Sequence, residues 1–321
     1  MANDFGNHWF LPNIVYAQSA WTSDELRAAA AFRRRTATPL VFNQNGWYYR
    51  GWLGRDGADE NAELVRAQQA SDYVIYQSRF CRDAGQALTG YTAPCHEVLH
   101  NAVPDTPHMA PKNSDGRTCW LSAVFTPDAQ HILRPVIDAF RLLHGRLGAA
   151  RAPRLLLAGR FVEATRQSSW FQNVEKELRS LQDAGICEWR GEYTVGELPQ
   201  LLARADIALH LRYKDSCPNA VVERMMLGLP HVFSNSGGTP ELVGEAGIGL
   251  EVGETWDDLL PVDPTRLSEA ILEALDRRDE LSKIAIDQSR LFSWQRYVAR
   301  HREIFESLLN GSRSPVGLAL N

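Results

Sequence analysis

The 321-residue chain predicts an α/β protein built on parallel sheets in two halves. Three observations carry that prediction. Short β-rich runs alternate with helical stretches almost from end to end, the pattern of strand–crossover–strand units. The stretch PDTPHMAPKNSDGR, residues 104–117, is rich in Pro, Asp, Asn and Gly and interrupts the series as a linker does. The α/β series on either side of it resemble each other in layout, although no short repeat of fixed period is present.

In chain order, NIVYAQ from Asn13 reads as a strand, and SDELRAAAAFRRR as a helix with Ser23 or Asp24 near its N-cap. PLVFNQNG from Pro39 reads as a strand ending in a turn, and ENAELVRAQQAS as a helix. DYVIYQS from Asp72 is a strand of the buried type, RFCRDAGQAL a helix and CHEVLHNAV from Cys95 a strand. Beyond the linker, TCWLSAVF is a strand and HILRPVIDAFRLLHGRL an amphipathic helix. RLLLAGRF from Arg154 is a strand, NVEKELRSLQDAG a helix closed by Gly185, ICEWRG a short strand, VGELPQLLARA a helix and DIALHLR from Asp206 a strand. A turn, a helix over about 219–227, the strand PHVFSN and a Gly-Gly turn follow. From Asp263 onward the chain reads as helical, with a frayed tail over the last ten or so residues.

Composition excludes several classes. The net charge of −5 does not suit a nucleic-acid binder. Arg33, Arg34 and Arg35 read as a solvated helix end, with contact to an anionic membrane surface as the alternative. Five scattered cysteines, odd in number and without metal-site spacing, suit a reduced, cytoplasmic chain. The start, MANDFGNHWF, does not read as a signal peptide, and no stretch is long and apolar enough to span a bilayer. Membrane association, if any, is expected to be peripheral, at the inner face.

The chemistry concentrates in residues 215–242, DSCPNAVVERMMLGLPHVFSNSGGTPEL. Asp215 and Ser216 can cap the helix, Pro218 suits its first turn, and Gly228 closes it. Its N-terminus then offers free N–H groups at the carboxyl edge of DIALHLR, where parallel sheets bind ligands and where a phosphate is stabilised. Glu223 lies about one turn into the helix, and helical side chains lean toward the N-terminus. Its carboxylate can therefore accept hydrogen bonds from sugar hydroxyls. Gly237 and Gly238 allow close backbone approach before Thr239 and Pro240 open another helix. Each feature alone is ordinary helix punctuation; it is their combination at two adjacent strand ends that indicates a ligand site.

These residues resemble glycosyltransferase family 4, the retaining GT-B enzymes that use nucleotide sugars. The matching residues are Pro218-Asn219, Glu223, Gly228-Leu229-Pro230 and Ser236 to Leu242, with Asp215 and Glu223 separated by seven residues as the family's two acidic positions are. Softer matches are DYVIYQSRFCRD, HNAVPDT and the C-terminal FSWQRYVARHREIFESLL. The resemblance implies a GT-B-like α/β fold: two Rossmann-like parallel-sheet domains facing a cleft, the first truncated. On that reading residues 1–106 form the shortened N-terminal, acceptor-side domain and 107–117 the linker. Residues 118–290 form the nucleotide-sugar-binding domain, and 291–321 a helix crossing back to the first domain, with a tail. The resemblance further implies Glu223 on the donor ribose. It places Asp215, Cys217, Pro218 and Asn219 against the transferred sugar and diphosphate, Gly237, Gly238 and Thr239 against sugar or phosphate, and Tyr193 near the base. It implies metal-independent hexosyl transfer with retention, no cofactor beyond the nucleotide-sugar donor, and an acceptor (glycan, lipid or small molecule) in polysaccharide or glycoconjugate synthesis.

Two departures from the family stand out. Where it places an Arg and a Lys to neutralise the leaving diphosphate, alignment on Ala139-Phe140 finds Thr126 and His131. A helix end contributes only about 0.3–2 kcal/mol, so a cation is needed, and Arg134 and Arg160 are the candidates. The glycine-rich loop that opens the family's first domain is also missing, and the first half of that domain with it. A sheet edge would then need cover from the N-terminal segment or a protein partner. The second functional reading is accordingly a catalytically impaired GT-B remnant, binding a nucleotide or a partner glycosyltransferase. A third, an epimerase or hydrolase on a similar fold, would use His100, His108 and His131, none of which stands in a diagnostic motif. The aromatic stretch NGWYYRGW, residues 45–52, suits stacking on a sugar, contact with lipid, or simple packing. His96 reads as structural.

Overall fold

A computed structural model describes residues 12–104 and 114–311. The bulk of the expected linker, together with His108, the first eleven residues and the tail, lies outside the described residues. The chain divides into two compact units, Met1–Pro104 with Ser216–Pro218 and Phe292–Asn321, and Asp105–Asp215 with Asn219–Leu291.

The first unit holds a four-stranded parallel sheet, ordered β1 (Val15–Gln18), β2 (Leu40–Gln44), β3 (Tyr73–Tyr76) and β4 (His96–Val98). Helices α1 (Ser23–Thr36), α3 (Ala58–Gln69) and α4 (Arg79–Thr89) make the crossovers, and a single turn, α2 (Arg50–Leu53), follows β2. The cap of α1 is Thr22, one residue ahead of the expected position. Its hydroxyl accepts from the Glu25 N–H at 3.3 Å while Glu25 Oε2 accepts from the Thr22 N–H at 2.8 Å, and this reciprocal box outcompetes Ser23. Of the three arginines ending α1, Arg33 is held by Asp72 at 2.5 Å. That same carboxylate accepts the Leu40 N–H at 2.9 Å, which seats the start of β2. β1 is an edge strand; the segment expected to cover it, residues 1–11, is outside the described residues.

The C-terminal helix α13 (Trp294–Leu309) packs on this sheet, with Ile304 buried against Val41, Tyr73 and Ile75. Arg300 clamps Glu97 of β4 at 2.7 Å. A hydrogen-bond chain runs from Asn43 Nδ2 to the Tyr16 hydroxyl (2.6 Å), on to His301 Nε2 (3.0 Å), and from His301 Nδ1 to the Tyr297 carbonyl (2.9 Å). Direction is set at both ends, because the amide donates and the carbonyl accepts. Nε2 must therefore be a lone-pair acceptor and the imidazole neutral; burial pushes its pKa down to about 4.

The second unit is a six-stranded parallel sheet in the order β10-β9-β8-β5-β6-β7. Its strands are β5 (Thr118–Phe125), β6 (Arg154–Phe161), β7 (Cys187–Gly191), β8 (Ile207–His210), β9 (His231–Ser234) and β10 (Gly247–Leu250). Helices α5 (Gln130–Leu147), α6 (Glu163–Arg166), α7 (Ser169–Asp183), α8 (Leu198–Leu202), α9 (Asn219–Met226), α10 (Thr239–Val243), α11 (Pro264–Asp276) and α12 (Arg278–Ser289) surround it. On one face Leu121, Phe125 and Leu157 meet Leu133, Ile137 and Phe140 of α5. On the other, Trp120, Leu156 and Ala208 meet Leu201, Leu202 and Leu227. Both faces are covered, which explains the continuous apolar runs. The opposite end of the sheet is pinned by Asp206, whose carboxylate accepts from Thr118 N–H (2.9 Å) and Ser114 Oγ (2.6 Å) and lies 3.4 Å from Arg278. β10 was not expected from GIGL, whose glycines carry no strand signal.

Candidate functional site

In the second sheet the chain runs outward from β5 through β6 to β7, and from β8 through β9 to β10 the other way. The β5–β8 boundary is therefore the topological switch point, and loops at its carboxyl edge are where such sheets hold ligands. Three loops are tied together there. Ser234 Oγ donates to the Arg212 carbonyl at 3.1 Å, Ser236 Oγ accepts from the Lys214 N–H at 3.1 Å, and the Gly238 N–H donates to the Asp215 carbonyl at 2.7 Å. The loop after β9 is thus zipped along the loop after β8. Gly237 makes the crossing with φ +69°, and a Cβ there would stand 2.4 Å from the Asp215 carbonyl oxygen. Beside the third loop, at the start of α5, His131 donates through Nδ1 to the Asp128 carbonyl (2.6 Å) and accepts the Tyr213 N–H at Nε2 (3.4 Å). Burial lowers its pKa, and this bonding needs it neutral. His131 is a structural tie.

Asp215 and Glu223 stand on either side of the start of α9. Asp215 precedes α9, with its Oδ2 3.3 Å from His210 Nε2 at the end of β8. Glu223 is half-buried on α9, and its carboxylate makes no hydrogen bond to another described residue. The helix begins at Asn219, so Pro218 stands just before it rather than within its first turn. Cys217 is 7% exposed, and its Sγ accepts from the Asn101 N–H at 3.4 Å within the first unit. The Gly238 N–H is spent on Asp215, and Thr239 Oγ1 is buried without a partner among the described residues.

Tyr193 turns inward. Its hydroxyl donates to Ser122 Oγ at 3.1 Å, and its ring meets the Trp120 indole edge-on at 5.7 Å. Ser122 Oγ also accepts from Arg224 Nη2 at 2.8 Å. Arg224 is fully buried next to Glu223, which depresses its pKa by desolvation, and its Nη1 has no partner among the described residues. Further along the same face, Val124 of β5 and Arg160 of β6 stand in register and exposed.

The two arginines proposed as diphosphate cations differ. Arg134 is committed elsewhere: Asp138 takes two of its N–H groups at 3.0 and 2.8 Å, and Glu177 a third at 2.6 Å. Arg160 is exposed at the carboxyl edge, with no ion pair among the described residues. Two cations at this edge escaped sequence reasoning. Arg212 lies two residues past the end of β8 and is held only loosely by Asp128, at 3.7 Å. Lys214 has a buried side chain, its ammonium 3.8 Å over the Trp256 ring and paired with Glu254; burial pushes it down to about 8. The only hint in the sequence was the string RYKD directly after a buried strand.

Residues 120–277 match the family model described as "Glycosyl transferases group 1". The solved structure of Anabaena Alr3699/HepE in complex with UDP shares the fold at a TM-score of 0.69 and 19% identity, over 92% of this chain and 78% of that one. Sucrose-phosphate synthase from Thermosynechococcus elongatus gives a TM-score of 0.72 at 14% identity, over 94% and 74%. Among curated proteins, an MMP alpha-(1->4)-mannosyltransferase of Mycolicibacterium hassiacum is 25% identical over 248 residues. The match covers 74% of this chain, and the chain spans 57% of that relative's length. The chain thus shares the α/β fold of these solved structures, and the match to the group 1 glycosyltransferase model falls in the second unit.

Proposed function

We propose that the protein transfers a hexosyl group from a nucleotide sugar to an acceptor hydroxyl, with retention at the anomeric carbon and without a metal. The observation that carries this is the pair formed by Asp215 and Glu223 around the start of α9 at the switch point, with the Glu223 carboxylate half-buried and without a hydrogen bond to another described residue. Glu223 accepts hydrogen bonds from the donor ribose. The segment Asp215–Asn219, with Gly237 and Thr239, lies along the sugar and diphosphate, and Tyr193 with Val124 and Arg160 borders the base. A mannosyltransferase relative and a fold neighbour crystallised with UDP-glucose support a nucleotide-sugar donor. The C1–O bond to the diphosphate breaks with its electron pair going to the leaving oxygen. The acceptor oxygen attacks C1 from the same face, and its proton passes to the departing phosphate. Arg212 and Arg160 supply the positive charge in place of Arg134, whose guanidinium is already paired with two carboxylates.

The test is release of nucleoside diphosphate from UDP-glucose, UDP-N-acetylglucosamine, GDP-mannose and ADP-glucose, by wild type and Glu223→Ala. One donor should be turned over, slowly by hydrolysis if no acceptor is present. The variant should lose this while melting at the wild-type temperature. Turnover unaffected by Glu223→Ala would refute the ribose assignment. A specific observation favours a second reading, the non-catalytic nucleotide-binding or partner subunit: Thr126 and His131 replace the family's cations, and His131 is locked neutral. That reading predicts nucleotide binding at most, with no donor turned over.

A further inference from the structure

The loop after β2 spends most of its residues on being rigid. Trp47 is buried with its indole N–H on the Cys81 carbonyl at 2.7 Å, and it fills the space beside Gly85 so closely that a Cβ there would meet the ring at 2.5 Å. Asn61, at the start of α3, clamps the Tyr48 backbone at both N–H (3.0 Å) and carbonyl (2.7 Å). Tyr49 is buried. Asn45 is held by Gln77 at 2.8 Å and by Ser19 Oγ on its N–H, also at 2.8 Å. From this fixed base the loop presents one aromatic pair. The Tyr48 and Trp52 rings stack at 5.5 Å and 11°, with Trp52 42% exposed, at the carboxyl edge of a parallel sheet.

We propose that the outer face of the Trp52 indole, backed on its other face by the stacked Tyr48 ring, is a platform for a pyranose ring, so that the first unit carries a saccharide-binding site of its own. Area and charge select the occupant. One exposed indole face offers on the order of 100 Å², far short of the roughly 1,000 Å² that a protein interface buries, but matched to one face of a sugar. The surrounding segment carries Arg50 and Arg55 against Asp56, Asp59 and Glu60, and Arg55 is already tied to Glu60. That rim is acidic on balance, whereas an anionic lipid surface calls for a basic one. Stacking needs a ring held in place, which the Tyr48 ring, on a backbone clamped by Asn61, provides for Trp52. The half-buried Asn45, whose amide N–H groups have no partner among the described residues, supplies donors for ring hydroxyls in the same loop.

Saturation-transfer NMR tests this with maltoheptaose, cellohexaose, isomaltohexaose and mannohexaose, on wild type, Trp52→Ala and the control Trp21→Ala. Trp21 is similarly exposed but follows β1. At least one oligosaccharide should bind wild type and the control in the millimolar range, and bind Trp52→Ala at least tenfold more weakly. Calorimetry on the same samples should show nucleotide affinity unchanged by Trp52→Ala. If that calorimetry finds no nucleotide bound even by wild type, the transferase reading falls, and a saccharide effect confined to Trp52 would still support the platform. Absence of binding to all four sugars, or equal binding by Trp52→Ala, overturns the proposal. So does flotation with phosphatidylcholine–phosphatidylglycerol vesicles that Trp52→Ala abolishes, which would make the patch a membrane contact.

Discussion

Two glycines with nearly the same backbone conformation separate the cost of a left-handed residue from the cost of breaking the site. Gly185 has φ +71° and nothing within 4 Å of where a Cβ would go; Gly237 has φ +69° and backbone atoms of Lys214 and Asp215 at 2.4–2.8 Å. Alanine at Gly185 meets only the left-handed penalty, about 1 kcal/mol. Alanine at Gly237 meets the same penalty and must also push the 214–215 backbone away, which breaks the Gly238–Asp215 hydrogen bond at about 1 kcal/mol. The displaced contacts bring the total to about 3 kcal/mol. At about 2–4 °C per kcal/mol for a unit of this size, Gly185→Ala should melt about 3 °C early in differential scanning calorimetry and Gly237→Ala about 9 °C early. Only Gly237→Ala should also lose nucleotide affinity, because only it moves the loop carrying Asp215. Equal melting shifts, or full nucleotide affinity in Gly237→Ala, would refute the argument that this crossing holds the site in shape.

Other outcomes follow from buried polar groups. His301 is neutral and buried, with its pKa pushed down to about 4 against about 6.5 when unfolded. Between those values the unfolded chain binds the extra proton, so the stability of the first unit is complete above about pH 6.5 and falls as pH drops toward 4, by about 3 kcal/mol in all. Denaturant melts at pH 7 and pH 4.5 should show that loss, and His301→Gln should flatten it; a pH-independent wild type would contradict it. Asp206→Ala strands the Thr118 N–H and the Ser114 hydroxyl and should cost about 2–3 kcal/mol, read as an early melt with nucleotide affinity intact. A normal melt would show that Asp206 does not pin β5 to β8.

The strands were legible because burial on both faces writes long apolar runs such as TCWLSAVF and RLLLAGRF, and the crossovers because amphipathic stretches such as HILRPVIDAFRLL stand between them. Residues 215–242 were legible because glycines and prolines mark backbone geometry locally: Gly237 turns where a turn was expected, and Thr239 and Pro240 open α10. Side-chain commitments were not legible, because they depend on partners distant in sequence. Arg134 is occupied by Glu177, 43 residues away. Lys214, of a type normally solvated, is buried against Trp256. Tyr193 turns inward because Ser122, on a different strand, accepts its hydroxyl. The single-turn helix α2 was hidden inside an aromatic string that reads equally as a loop.

The most direct measurement of the central claim is calorimetric titration of wild type and Glu223→Ala with UDP, GDP and ADP. The account predicts that wild type binds one of the three clearly tighter than the others, and that the variant loses this binding while its melting temperature stays the same. A wild-type protein that binds none of them would contradict a donor site at the switch point.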